Sequence, residues 1–100
     1  MKIKTLDINT LEWFDKINGN SYFAGDVIVN YGLKDVIELK MPFQYGYGNH
    51  YQDMAMKLLI EKGLISAHST MLLWRYCAEN NIILRQDKKE NCLKRELTAI

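Results

Sequence analysis

Two runs of β-branched and aromatic residues lie in the first half of the chain and predict a β-hairpin. They are residues 22–31 (YFAGDVIVNY) and 36–43 (VIELKMPF), and the short segment GLKD separates them. Runs of this composition, joined by a short connection that contains glycine, are typical of antiparallel hairpins. In the second run the apolar residues alternate with polar ones from Ile37 onward, so Met41 and Phe43 are expected to face the core together.

A different periodicity follows and predicts two helices. Apolar residues recur at spacings of three and four from Tyr51 to Leu59, as on the buried face of an amphipathic helix over residues 50–62, and Gly63 marks its end. A second helix is predicted over residues 69–79, with apolar side chains around most of its circumference. Such a helix is either largely buried within one chain, or buried on one side and paired on the other, for instance in a homodimer.

The amino-terminal segment is predicted to contain one more helix. Residues 1–6 alternate in polarity and form a short edge strand unless they fray. A first helix, capped by Asn9 or Thr10 and ended by the dipeptide Asn18-Gly19, is predicted from three apolar residues that recur at a spacing of three: Leu11, Phe14 and Ile17.

The carboxyl-terminal segment is predicted to form a second hairpin. Residues 82–86 have the composition of a strand, residues 87–91 form a polar turn, and the side chains of residues 92–99 alternate between two sides. A terminal helix over residues 88–97 is the alternative. The fold class that follows is α+β, with an antiparallel sheet of two hairpins packed on one face against two or three helices.

Composition places the chain among ordinary globular proteins. Its 100 residues fit one domain, 1–100, with 48% hydrophobic and 25% charged residues. A net charge of +1 implies no strong general attraction to nucleic acid or to acidic membranes. The two cysteines lack the spacing of a zinc site or a disulfide framework, and no long apolar segment predicts a signal peptide or a membrane span. A location in the cytoplasm, without a membrane partner, is the expectation.

No motif in the chain predicts catalysis. The serines lack the glycine frame of a nucleophile elbow, and His50 and His68 lie at opposite ends of a predicted helix and its following turn, too far apart to share one metal ion. The expected protein is therefore not an enzyme and holds neither a metal nor a cofactor.

The segment PFQYGYGNHY, residues 42–51, is the main candidate for a binding site. Two glycines flank Tyr47 and permit positive φ angles or close packing, and Asn49 could cap the following helix through its side-chain oxygen. Exposed aromatic residues on such a loop suit a protein interface. The predicted partner-binding residues, which include two from the NGN turn, are Tyr45, Tyr47, Asn49, His50, Asn18 and Asn20.

Nucleic-acid binding is the alternative function. Residues 82–100 carry five basic and three acidic side chains, a local excess of two positive charges. Bases would stack on the tyrosine loop while the basic hairpin holds the phosphate backbone. The residues predicted for this role are Lys88, Lys89, Lys94 and Arg95.

Three segments carry a resemblance to a known group of proteins: WFDKINGNSYFAGDV (13–27), MPFQYGYGNHY (41–51) and ENCLKRELTAI (90–100). The chain resembles small bacteriophage and prophage proteins that share an N-G-N-x-Y segment, a P-F-Q-Y-G-Y-G segment and a closing K-R motif. That group has no assigned activity, so the resemblance implies no catalytic residue. It implies a virus-encoded accessory protein in the host bacterial cytoplasm, which binds and modulates a host or viral protein and could inhibit a host defence system.

Overall fold

The computed structural model describes residues 2–68 and 71–100 and has a four-stranded mixed sheet in the order β3-β2-β1-β4. Strand β1 pairs with β2 in antiparallel and with β4 in parallel orientation, and β2 pairs with β3 in antiparallel orientation. The predicted α+β class is confirmed. In chain order the elements are β1 (Thr5–Asp15), β2 (Asn20–Val29), β3 (Ile37–Tyr45), α1 (His50–Glu61), α2 (Leu73–Glu79), β4 (Ile83–Lys89) and α3 (Lys94–Thr98).

The first predicted helix is wrong, because Leu11 and Phe14 belong to β1 and Ile17 lies in the turn that follows. The ladder between β1 and β2 continues without a break from Leu6 opposite Val29 to Asp15 opposite Asn20. Three apolar residues at a spacing of three are too few to establish a helical period, and β1 gains hydrogen bonds from a neighbour on each side. The dipeptide Asn18-Gly19 lies in the hairpin turn, where Gly19 has a φ of +71°.

The first hairpin is confirmed as β2 and β3, but the predicted position of Phe43 is wrong. Pairing shifts register between Gly25 opposite Met41 and Phe23 opposite Gln44. This bulge gives β3 one extra residue, which reverses the faces of the side chains that follow. Met41 therefore packs in the core beneath α1, whereas Phe43 stacks on Tyr22 on the opposite face, with ring centroids 5.1 Å apart.

The second predicted hairpin is also wrong. Strand β4 extends through Lys89 and pairs in parallel with β1, so residues 87–89 of the predicted turn are strand. Residues 94–98 form helix α3, in agreement with the alternative of a terminal helix. The Glu96 side chain accepts a hydrogen bond from the backbone N–H of Leu93 at 2.5 Å, which fixes the start of this helix.

Helices cover both faces of the sheet, although they were predicted on one. On the first face, α1 and α2 pack over the main core, which includes Leu6, Ile8, Phe23, Val27, Met56 and Leu59. On the second face, α3 covers one end of the sheet by burying Leu97 beside Ala24 and Cys92. A group of aromatic rings, Trp13, Tyr22 and Phe43, packs next to this smaller core.

Helix α1 is confirmed, and Tyr51, Ala55 and Leu59 of its predicted stripe are buried. Helix α2 is shorter than predicted: it begins at Leu73, and residues 69–70 of the prediction lie outside the described residues. It buries Leu73 and Cys77 on one side only. Among the described residues, no helix has the length and apolar character needed to cross a membrane.

Candidate binding site

A cleft of about 840 Å³ lies between the β3–α1 loop and the start of α2. The loop and the strand before it contribute Tyr45, Gly46, Tyr47 and Asn49. The first turn of α1 contributes His50, Gln52 and Asp53, and the remaining lining residues are Leu72, Trp74 and Gln86. Its volume is in the range of ordinary ligand pockets.

Two glycines shape the loop for different reasons. Gly46 is buried, and its backbone N–H donates a hydrogen bond to the Ser21 carbonyl at 3.0 Å. A Cβ atom at Gly46 would lie 2.6 Å from both Phe23 and His50. Gly48 has open space around it but a φ of +60°, which disfavours other residues. Both predicted roles of glycine, close packing and positive φ, are confirmed in this loop.

Lys88 of β4 secures the loop to the sheet. Its ammonium group donates a hydrogen bond to the Gly48 carbonyl at 2.8 Å and lies 3.0 Å from the Glu12 carboxylate. The same group lies 5.8 Å from the ring centroid of Tyr51. The Lys88 side chain is only 18% exposed, so its charge is engaged within the protein. The geometry gives Lys88 a structural role beneath the loop.

The floor of the cleft is polar and firmly held. The Tyr51 ring is buried, and its hydroxyl donates a hydrogen bond to Gln86 Oε1 at 3.1 Å. The His50 ring meets the Phe23 ring edge-on at 5.9 Å. Asn49 makes no side-chain capping hydrogen bond, so its predicted role as a helix cap is wrong. The helix instead starts from backbone bonds, with the Gln52 N–H donating to the Asn49 carbonyl.

Three aromatic side chains and one leucine line the cleft with much of their surface in solvent. Tyr45 is 58% exposed, Tyr47 is 70% exposed and Trp74 is 55% exposed, so the predicted exposure of the two tyrosines is confirmed. The ring of Tyr45 meets the Tyr22 ring edge-on at 5.9 Å, so it lies on the second face of the sheet, where Tyr22 packs next to the smaller core. Leu72 is also exposed, next to the start of α2. The cleft lining therefore combines these exposed apolar side chains with the polar residues Asn49, Gln52, Asp53 and Gln86.

Sequence reasoning did not include Trp74 and Leu72 in the site. The sequence did contain one signal for these residues. The second predicted helix has apolar side chains around most of its circumference, which is more apolar surface than one buried face needs. The pattern left open which apolar residues would be buried. Packing of Leu73 and Cys77 into the core is what turns Trp74 toward the cleft.

The basic residues predicted to bind nucleic acid are divided between the two faces of the sheet. Lys88 lies beneath the cleft loop, on the side of the sheet that carries α1. Lys89 pairs with Glu96 at 3.8 Å, and Lys94 lies 5.6 Å from the ring centroid of Trp13. Arg95 is on α3, which packs on the opposite face of the sheet. Among the described residues that line the cleft, none is lysine or arginine, and Asp53 is the acidic one.

The NGN turn lies at the same end of the sheet but does not line the cleft. The turn connects β1 to β2 at Asn20, and Tyr45 pairs with Tyr22 two residues farther along. The Asn18 side chain donates a hydrogen bond to Asp15 at 2.7 Å. This bond stabilises the hairpin turn and engages one donor of Asn18.

The ionisable groups of this region offer little for covalent chemistry. His50 Nδ1 lies 4.0 Å from the Asp53 carboxylate, beyond hydrogen-bonding distance. Burial raises the pKa of the Cys77 thiol to about 11, so at neutral pH it is a core thiol rather than a thiolate nucleophile. Within residues 2–68 and 71–100, no group of three or more His, Cys, Asp or Glu side chains is placed to hold a metal ion.

Comparison of the chain with protein-family models, with curated proteins and with solved structures gives no match.

Gly46→Ala is expected to distort the cleft. The new methyl group would collide with Phe23, which the core holds in place, and with His50. We expect a loss of about 1–3 kcal/mol in the free energy of unfolding. NMR shifts should change at His50 and in the loop. The control is Gly48→Ala, in which the new methyl group has open space but the backbone φ is +60°. This variant should lose about 1 kcal/mol in the free energy of unfolding without disturbing the Phe23 ring. Unchanged Phe23 ring signals in Gly46→Ala would contradict the predicted contact.

Proposed function

We propose that this protein is a non-enzymatic binding module that engages a segment of another protein in the cleft. One observation carries the proposal: Tyr47 and Trp74 are both largely exposed and, with the exposed Leu72, line a single concave surface. Several large apolar side chains exposed together on one concave surface, unlike a single exposed residue, are typical of an interaction site. Tyrosine and tryptophan are also the residues that most often dominate binding energy at protein interfaces.

The construction of the cleft suits binding without large rearrangement. The loop is held by the Gly46 and Lys88 hydrogen bonds, and the floor by the bond between Tyr51 and Gln86. Aromatic side chains have few rotatable bonds, so little conformational entropy is lost when they are covered. A preformed cleft of this kind retains more of its contact energy as affinity.

The charges around the cleft favour protein over nucleic acid as the partner. A nucleic-acid site needs lysine or arginine to neutralise phosphates, and the described lining residues include neither. Lys88 is close to the loop, but Glu12 and the Gly48 carbonyl already engage its charge. The carboxylate of Asp53 would repel a phosphate backbone.

The proposed context follows from the resemblance to small phage and prophage proteins. We place the protein in the host bacterial cytoplasm, where it would bind a host or viral protein and modulate its activity. Inhibition of a host defence system is one form that such modulation could take. The support for this context is the sequence segments at 13–27, 41–51 and 90–100.

Site-specific photo-crosslinking tests the proposed function. A photoreactive phenylalanine analogue replaces Tyr47 in the cleft, and the matched control carries it at Tyr31, which is 64% exposed and does not line the cleft. We expect the label at position 47, but not at position 31, to capture a defined protein from bacterial lysate. With that protein purified, Tyr47→Ala and Trp74→Ala should each weaken binding at least tenfold, which is about 1.4 kcal/mol. Tyr31→Ala should bind as the wild type does.

The variants also separate a binding role from a structural one. Since Tyr47 and Trp74 are largely exposed, their replacement should leave the melting temperature nearly unchanged. A large drop in melting temperature would mean that these side chains support the fold. Equal crosslinking from positions 31 and 47 would overturn the proposal. Oligonucleotide binding that falls steeply with salt would instead support the nucleic-acid alternative.

A further inference from the structure

We infer that the cleft recognises a positively charged side chain, lysine or arginine, on the segment of the partner protein that it binds. This inference rests on the proposed function and specifies the chemistry of the partner. It follows from three features of the described residues: exposed aromatic rings, an acidic side chain among them, and the absence of an internal cation from the cleft lining.

The first feature is the set of rings. Tyr45, Tyr47 and Trp74 line one cleft, and the face of an aromatic ring carries partial negative charge that attracts cations. Tryptophan and tyrosine are the rings that hold cations best. Cages of such rings are a recurrent way to bind the ammonium group of a ligand.

The second feature is the carboxylate of Asp53. It lies in the first turn of α1, among the cleft residues, and it makes no hydrogen bond to another described residue. The Nδ1 atom of the His50 ring lies 4.0 Å from the Asp53 carboxylate, beyond hydrogen-bonding distance, so the oxygens of Asp53 keep their capacity to accept hydrogen bonds. Lysine and arginine side chains donate to carboxylates through strong charge-assisted bonds.

The third feature is the position of the protein's own cations. Lys88 lies over the Tyr51 ring and Lys94 over the Trp13 ring, so two buried or half-buried rings of this fold already have a cationic neighbour. No lysine or arginine of the described residues lies over Tyr45, Tyr47 or Trp74 in the same way. Among the described residues, the rings of Tyr47 and Trp74 therefore have no cationic neighbour of this kind.

The size of the cleft agrees with this occupant. About 840 Å³ is more than one ammonium or guanidinium group fills. The methylene stem of lysine or arginine can lie along Leu72 and the rings while its charged head meets Asp53. Backbone amides of the same segment could bond to the side chains of Asn49, Gln52 and Gln86, which line the remaining space.

Capped tripeptides test the inference directly. The probes are Gly-Lys-Gly, Gly-Arg-Gly and Gly-norleucine-Gly, in which norleucine keeps the aliphatic stem but lacks the charge. Titrations at constant ionic strength follow the amide signals of residues 45–53 and the indole signals of Trp74 and Trp13 by NMR. We expect saturable shifts in the cleft with at least one charged tripeptide, at a Kd at least fivefold below that of the norleucine tripeptide. The Trp13 indole, on the other face of the sheet, should not shift.

A charge-neutral variant supplies the second readout. Asp53→Asn should raise the Kd of the preferred charged tripeptide at least threefold and leave the norleucine tripeptide unaffected. The matched control is Glu61→Gln, at the far end of α1 and outside the cleft, and it should bind all three tripeptides as the wild type does.

The outcomes separate this inference from the function on which it rests. Equal affinity for the charged and norleucine tripeptides, or no saturable shift with any of them, overturns the recognition of a cation. Crosslinking at position 47 that Trp74→Ala abolishes would then still support a protein-binding cleft of another specificity. A second copy of this chain as the occupant would appear as concentration-dependent shifts in the same signals without any peptide, and would overturn the assignment to a partner protein.

Discussion

Asn30→Ala is expected to lower the free energy of unfolding by about 3–5 kcal/mol, because the variant loses buried hydrogen bonds and strains the backbone at once. Asn30 is fully buried. Its Oδ1 accepts hydrogen bonds from the backbone N–H groups of Lys4 at 2.7 Å and Thr5 at 3.3 Å, and its Nδ2 donates to the Lys2 carbonyl at 3.0 Å. Urea unfolding followed by circular dichroism measures the effect.

The backbone of Asn30 adds to this expected loss. Its φ of 56° lies in the left-handed region, which asparagine tolerates better than alanine. Asn81 provides a matched control, because it has a φ of 55° but an exposed side chain. Asn81→Ala should lose only about 1 kcal/mol. Asn30→Gly removes the side-chain bonds without the strain and should fall between the two. Equal losses for Asn30→Ala and Asn81→Ala would show that the buried bonds contribute nothing.

Gly25→Ala is the second substitution with a large expected effect. Gly25 lies in the middle of β2 opposite Thr10, and a Cβ atom there would overlap the backbone carbonyl oxygen of Asn9. A backbone atom in a paired strand cannot turn aside as a side chain can, so β1 and β2 would have to separate. We expect a loss of about 3 kcal/mol or more, which is a large part of the stability of a small domain.

The control for this substitution is Gly19→Ala. Gly19 has open space around it and a φ of +71°, so alanine there meets backbone strain alone and should lose about 1 kcal/mol. The same urea experiment compares the two variants. A Gly25→Ala protein as stable as Gly19→Ala would contradict the close approach of the two central strands.

Both substitutions concern the support of the cleft as well as the fold. Strand β2 carries Phe23, against which Gly46 and His50 pack. Asn30 fixes the segment before β1, and β1 supplies Glu12, the partner of Lys88 beneath the loop. Loss of either central strand would therefore remove the base on which Tyr45 and Tyr47 are presented.

Local patterns were sufficient where one element is determined by its own residues. The β-branched and aromatic residues of β2 and β3 and the glycine between the two strands predicted the hairpin, and the spacing from Tyr51 to Leu59 predicted α1. Tyr45 and Tyr47, separated by a glycine in a loop, were predicted to be exposed and are exposed. For β3 and α1 the periodicity continued over enough residues to distinguish a strand from a helix.

Local patterns failed where distant segments decide the structure. Leu11, Phe14 and Ile17 have the spacing of a helix. Leu11 and Phe14 nevertheless lie in β1, which pairs with β2 and β4 in the centre of the sheet. For residues 94–98, alternation favoured a strand, yet the segment forms a helix that buries Leu97 against the second face of the sheet. The bulge that separates Phe43 from Met41 follows from the pairing of two strands and has no local signal beyond Pro42.

By itself, the sequence determined that the chain is an α+β protein with one secure hairpin, one secure amphipathic helix and two exposed tyrosines on a glycine-rich loop. Only the tertiary structure decided that β4 pairs in parallel with β1 and that Lys88 is hydrogen-bonded beneath the loop. It also decided that Trp74 lines the same cleft as the tyrosines. The physical reason is that the sequence specifies which side chains are apolar and lower the free energy when they are buried. The pairing of distant segments decides which of these side chains are buried in the core. Trp74 is left at the surface by that pairing, and its exposure is what suggests a partner.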